Sequence, residues 1–167
     1  TEDSSPAEFT LTVSPVNDAP VLVSISDQTT AEDTPLTVTL SATDVDGDLL
    51  TYSAVSSTED IIVSITDSEL TLTPSSNFNG SGIINVTAND GTVSSNTVTF
   101  TLTVTSTNDA PVLASISDQT IAEDQSISIS LSATDEDADN ITYSAVSDTS
   151  AVSTFITGSV LTMTPAA

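Results

Sequence analysis

The run Asn17-Asp18-Ala19-Pro20-Val21-Leu22 returns unchanged as Asn108-Asp109-Ala110-Pro111-Val112-Leu113, 91 residues further along the chain. The same offset carries Ser26-Asp27-Gln28-Thr29 onto Ser117-Asp118-Gln119-Thr120 and Ala31-Glu32-Asp33 onto Ala122-Glu123-Asp124. It carries Ser41-Ala42-Thr43-Asp44 onto Ser132-Ala133-Thr134-Asp135, and Thr51-Tyr52-Ser53-Ala54-Val55 onto Thr142-Tyr143-Ser144-Ala145-Val146. Leu70 and Pro74 map onto Leu161 and Pro165 without any insertion. Before the first copy, Phe9-Thr10-Leu11-Thr12-Val13 matches Phe100-Thr101-Leu102-Thr103-Val104 in that register. A period this long exceeds the roughly 20–50 residues of solenoid repeats and implies an array of units that each fold alone. Three segments follow: 1–16 as the last strand of a preceding repeat, 17–107 as a whole repeat, and 108–167 as an incomplete repeat lacking its last two strands.

Within one repeat the apolar residues alternate with period two. Leu36–Ala42, Leu70–Thr73 and Val98–Val104 place Leu, Val or Phe on one face and Thr or Ser on the other, the pattern of a half-buried strand. Shorter runs cover Val21–Ser26, Leu50–Val55, Ile61–Ile65 and Ile83–Thr87, and Glu8–Val13 repeats the last strand. Asp46-Gly47, Asn79-Gly80 and Asp90-Gly91 supply turns between them. No segment has helical period. Seven short strands per repeat predict an all-β fold of tandem, antiparallel, Greek-key sandwiches. Aromatics are 4% of the chain, so the cores are aliphatic.

The chain has no Lys, Arg or His, and its net charge is -24. Nucleic-acid binding needs cations to displace counterions from phosphates, so that class is excluded, as is docking to anionic lipid through basic patches. No run approaches the roughly 18 apolar residues of a membrane span. Without Cys, His or Lys no Ser or Thr has an activating base. Without Trp nothing suggests a sugar-hydrolysing cleft between paired carboxylates. An enzyme is not expected. The absence of Lys also excludes Lys–Asn isopeptide crosslinks. Asn79-Gly80-Ser81, Asn85-Val86-Thr87 and Asn140-Ile141-Thr142 fit the glycosylation pattern, as chance alone produces in a chain this rich in Ser and Thr.

The acids gather at turns. Asn17/Asp18, Asp44/Asp46/Asp48 and Asp90 fall in loops that a sandwich places at one pole, and Glu32/Asp33 at the other. The next repeat carries Asn108/Asp109 and Asp135/Asp137/Asp139. Converging carboxylates repel unless a cation lies among them, and oxygen donors without His or Cys select calcium over zinc or copper. The competing view is that these are ordinary polar turns, which Asp and Asn favour. Asp44–Asp48 is not an EF-hand, since Leu49 and Val55 stand where that loop requires Gly and Glu.

These motifs resemble cadherin repeats, and more closely the cadherin-like and Ig-like tandem repeats of giant bacterial extracellular adhesins. Asn-Asp-Ala-Pro-Val is similar to the cadherin linker, Ala42–Asp46 with Leu50-Thr51-Tyr52 to the Asp-x-Asp strand ending, and Val86–Gly91 to the later Asp-Gly segment. Pro74–Gly80 is similar to the bacterial variety. The resemblance implies Ca2+ held by Asn17, Asp18, Asp44, Asp46 and Asp90 at one junction and by Glu32, Asn108, Asp109, Asp135 and Asp137 at the next. Asp33, Asp48 and Asp139 are further candidate ligands, because the cadherin Leu-Asp-Arg-Glu segment is absent. The function implied is a non-catalytic, calcium-rigidified spacer in a surface adhesin or filament, in contact with neighbouring repeats. Two alternatives stay open: a filament subunit completed by strand exchange, and a module that binds carbohydrate or cells.

Overall fold

The computed structural model describes residues 3–166, so Thr1, Glu2 and Ala167, at the outer ends of the predicted first and last segments, lie outside the described residues. The described residues hold fourteen strands and no helix. They form two compact units, Thr1–Ser106 and Thr107–Ala167.

The first unit contains β1 (Val21–Leu22), β2 (Gln28–Ala31), β3 (Leu36–Thr39), β4 (Ala42–Thr43), β5 (Thr51–Ser56), β6 (Ile61–Thr66), β7 (Glu69–Pro74), β8 (Gly80–Asn89) and β9 (Val98–Thr105). One sheet has the order β2-β9-β8-β5 and the other β3-β7-β6, with β1 paired to β4 beside it. β1 and β2 are halves of one strand, and β3 and β4 halves of another, which reduces nine segments to the seven strands of an Ig-type sandwich. Alternation along β7, β8 and β9 buries Leu70, Leu72, Ile84, Val86, Ala88, Phe100, Leu102 and Val104 between the sheets. Tyr52 packs half-buried against this cluster.

One local expectation is corrected. The predicted run Val21–Ser26 keeps strand geometry only at Val21 and Leu22, and the chain then crosses to the other sheet as β2. There it pairs with β9 in parallel, Gln28 opposite Leu102 and Ala31 opposite Thr105, so the sandwich is not wholly antiparallel. Side chains fix the crossing: Asp27 Oδ1 accepts the Thr101 N–H at 2.7 Å, and the Gln28 amide donates to the Ser26 carbonyl at 2.9 Å. The crossing covers an edge of β9 that would otherwise present unpaired backbone groups. Residues 8–13 carry no strand pairing within the chain, and Phe9, Leu11 and Val13 are exposed. Their pattern is a strand's, but a strand needs a neighbour to take its hydrogen bonds.

The second unit contains β10 (Val112–Leu113), β11 (Ile127–Ser130), β12 (Ala133–Thr134), β13 (Val152–Thr157) and β14 (Val160–Pro165). β11-β14-β13 repeats β3-β7-β6, and β10-β12 repeats β1-β4. Residues 119–122 and 142–147, the counterparts of β2 and β5, carry no strand. In the first unit those segments pair with β9 and β8, which have no counterpart among the described residues of the second.

Candidate metal centre

The loop between β4 and β5 turns sharply because one carboxylate gathers its backbone. Asp44 Oδ1 accepts the N–H groups of Asp46, Gly47 and Asp48 at 3.0, 2.9 and 3.2 Å. Gly47 takes a positive φ of 79°, which glycine adopts without steric cost. This curl draws oxygen atoms of Asp44, Asp46 and Asp48 to within 4.8 Å of one another. With Oδ1 so engaged, Asp44 Oδ2 is left buried without a hydrogen-bond partner. A buried, unpartnered carboxylate oxygen is costly.

The chain entering the sandwich is tied to the same pole. Asp46 Oδ2 accepts the Asp18 N–H at 2.7 Å, and the Asn17 amide donates to Asp90 Oδ2 at 2.9 Å. Asp90, in the turn between β8 and β9, is buried, and its Oδ1 accepts the N–H groups of Thr92 and Val93, both at 2.7 Å. Asn96 completes the clamp: its Oδ1 accepts the Leu22 N–H at 3.0 Å, in place of a strand partner. No periodicity marks Asn96, and the sequence alone gives no signal for it.

The Asn17 amide, with the Val93 N–H next, holds the Asp90 carboxyl below its ordinary value, against an opposing push from burial. A depressed carboxylate adds stability that is present above its unfolded pKa and lost as pH falls through the folded one. In calcium-free buffer, Asn17→Ala is therefore expected to raise the Asp90 pKa toward the ordinary range and shift the acid limb of unfolding to higher pH. A carboxyl NMR titration checks this.

Six of the predicted ligands, Asn17, Asp18, Asp44, Asp46, Asp48 and Asp90, thus meet at one pole of the first unit. Glu32 and Asp33 do not join them. They lie in the turn after β2, where the Glu32 N–H donates to the Thr105 carbonyl at 2.9 Å and Asp33 Oδ1 accepts the Asn77 N–H at 3.2 Å. In the second unit the entry is repeated: Asp137 Oδ2 accepts the Asp109 N–H at 2.6 Å, and the Asn108 amide donates to the Asp109 carbonyl at 2.8 Å.

The second loop is arranged differently. Asp135 Oδ1 accepts from Asp139 at 2.9 Å, without the bonds corresponding to those from Asp46 and Gly47, and Asp135, Asp137 and Asp139 do not form a second compact carboxylate group among the described residues. Ala138, where the first loop has Gly47, takes a φ of 59°. A Cβ in the left-handed region costs about 1 kcal/mol. Ala138→Gly is expected to relieve this and slow hydrogen exchange at the Asp139 amide about two- to fivefold.

The bacterial Ig domain family profile matches residues 17–103, just over half of the chain. No curated protein sequence matches. Among solved structures, human protocadherin-24 EC1-2 is 22% identical over 72% of this chain and 61% of that one, with a TM-score of 0.44. Domains 4–9 of the surface layer protein SbsC are 17% identical over 91% and 27%, with a TM-score of 0.38. A nucleoside hydrolase-related hypothetical protein from Saccharophagus degradans, associated with carbohydrate metabolism, is 17% identical over 55% and 26%, with a TM-score of 0.42. The chain spans less than two thirds of each of these structures. The profile match and the two-sheet sandwich agree, and the chain belongs to the bacterial Ig domain family.

Proposed function

We propose that this chain is a non-catalytic, extracellular spacer or adhesion segment built of tandem repeats of the 17–107 type, and that calcium binds the pole of its first unit. The observation that carries the calcium reading is the Asp44 carboxylate. One of its oxygens organises the loop, and the other is buried without a partner, beside Asp46 and Asp48. A cation there would satisfy that oxygen and relieve the repulsion among three acids. The donors are all hard oxygens, which suits calcium; magnesium demands stricter octahedral geometry and keeps its waters. Asp18, whose N–H bonds Asp46, and Asn17, whose amide bonds Asp90, are the further donors proposed at this pole. Bound calcium would then fix the entering chain to the loop that follows β4, stiffening the start of the repeat.

Isothermal titration of the metal-free chain with calcium tests this. Extracellular modules bind calcium with Kd of roughly 0.1–1 mM, and that range is expected here, with magnesium much weaker. Calcium should also protect the 44–48 loop from proteolysis until a chelator is added. Absence of both heat and protection up to high millimolar calcium would refute the metal site and leave the spacer reading without its stiffening device.

A further inference from the structure

Three places in this chain set a glycine directly after an Asn or Asp: Asp46-Gly47, Asn79-Gly80 and Asp90-Gly91. Such a step is chemically weak. With no side chain on the glycine, its backbone nitrogen can reach the carbonyl carbon of the preceding side chain and close a five-membered ring. The structure guards two of the three. Asp90 is buried, with Oδ1 held by the N–H groups of Thr92 and Val93 and Oδ2 by the Asn17 amide. At Asp46 the Asp18 N–H occupies Oδ2, and the Gly47 N–H is given to Asp44 Oδ1. A carboxylate anion also resists attack until it is protonated. Asn79 is exposed, and its amide makes no hydrogen bond among the described residues.

The fold demands the glycine of this step but not the asparagine. Gly80 opens β8 with a φ of 153°, and a Cβ there would come within 3.0 Å of Phe78 Cζ. Phe78 packs against the core cluster, and its N–H closes the turn that places it, donating to the Ser75 carbonyl at 3.1 Å. Asn77, in the left-handed region at a φ of 57°, donates its N–H to Asp33 Oδ1 at 3.2 Å and ties this turn to the one after β2. Backbone conformation and the aromatic ring together exclude a side chain at position 80. The reactivity of the step therefore follows from packing.

We propose that Asn79 is a site of spontaneous deamidation, which adds a carboxylate at the start of β8 without any enzyme. The Gly80 nitrogen, on losing its proton to solvent base, attacks Asn79 Cγ. The new N–Cγ bond closes a succinimide as the Cγ–Nδ2 bond breaks, and Nδ2 leaves as ammonia with a proton from water. A water molecule then opens the ring. Attack at Cγ gives aspartate. Attack at the main-chain carbonyl carbon gives isoaspartate, with the backbone routed through Cβ and Cγ. Either product carries one more negative charge, and isoaspartate also lengthens the backbone by one carbon directly ahead of β8. That strand is paired on both sides, to β5 and to β9, so its register holds and the turn takes up the extra atom. The bond between Asn77 and Asp33 is loosened as a result.

Peptide mapping of the 167-residue chain after incubation in warm, mildly alkaline buffer tests this. Asn79 is expected to convert ahead of the seven other asparagines, none of which precedes glycine, with isoaspartate the larger product. Gly80 sits at the end of a ladder, where fraying frees its nitrogen, so conversion should be about tenfold slower than in a free peptide spanning residues 75–83. In oxygen-labelled water each converted chain takes up one heavy oxygen. Asn79→Gln, whose extra methylene requires a six-membered ring, removes the acidic shift on isoelectric focusing. The converted chain exchanges the Asn77 amide hydrogen about two- to fivefold faster, with the β8 amides unchanged. An Asn79 left intact after roughly a hundred half-lives of the peptide, or conversion as fast at another asparagine, overturns the inference.

Discussion

Replacing Leu72 with alanine is expected to destabilise the first unit by about 3 kcal/mol. Leu72 lies on β7, the middle strand of its sheet, opposite Leu36 on one side and Val63 on the other. It is 0% exposed and faces the second sheet across the core. The surrounding side chains are aliphatic and close-packed, so the void left by three carbons closes only in part. The loss is a large fraction of the ~5–15 kcal/mol that holds a domain folded. Urea unfolding should show the midpoint falling with an unchanged slope, because the surface exposed on unfolding hardly alters. Ile62→Ala, on the outer face of β6 and 58% exposed, serves as the control and should stay within about 0.5 kcal/mol. Equal effects at the two positions would mean that the alternation along β6 and β7 does not define the core.

Asp44→Asn is expected to act with opposite signs in the two metal conditions. Without calcium the variant keeps an oxygen for the N–H groups of Asp46, Gly47 and Asp48 and removes one of three crowded charges. Asp46 and Asp48 are exposed and Asp44 only partly so, which keeps such like-charge contacts near about 0.2–1 kcal/mol, so the metal-free variant should match or slightly exceed the wild type. With free calcium at 100 times its Kd, the wild type gains about 2.7 kcal/mol by linkage, and the variant forfeits most of it. Paired thermal melts with calcium and with chelator read both terms. A variant destabilised equally in both conditions would assign Asp44 a purely architectural role in its turn.

Much of this was legible in the sequence, for an identifiable reason. β6, β7, β8 and β9 bury every second residue, and a period-two pattern declares itself in Ile61–Ile65, Leu70–Thr73, Ile83–Thr87 and Val98–Val104. β2 was not legible. Gln28-Thr29-Thr30-Ala31 has no apolar alternation, and its position comes from backbone bonds to β9, to which composition is blind. The break between β3 and β4 at Leu40 and Ser41 was hidden for the opposite reason, since alternation runs straight through it. At the metal centre the acids were all visible, but their grouping was not. Asp44–Asp48 and Asp135–Asp139 look equivalent as lists of carboxylates. They differ at two positions, Val45 against Glu136 and Gly47 against Ala138, and the second of these falls at a left-handed position that only the formed turn reveals.

The parallel ladder between β2 and β9 has a mechanical consequence. The chain enters the first sandwich at the pole of Asp18 and leaves it beyond Thr105, and these two strands run the same way. Tension applied through the two ends therefore drags them past each other lengthwise. Their interstrand bonds are loaded together and must rupture at once, unlike a hairpin peeled open from its end. That arrangement resists tension along the chain, whatever ion is bound.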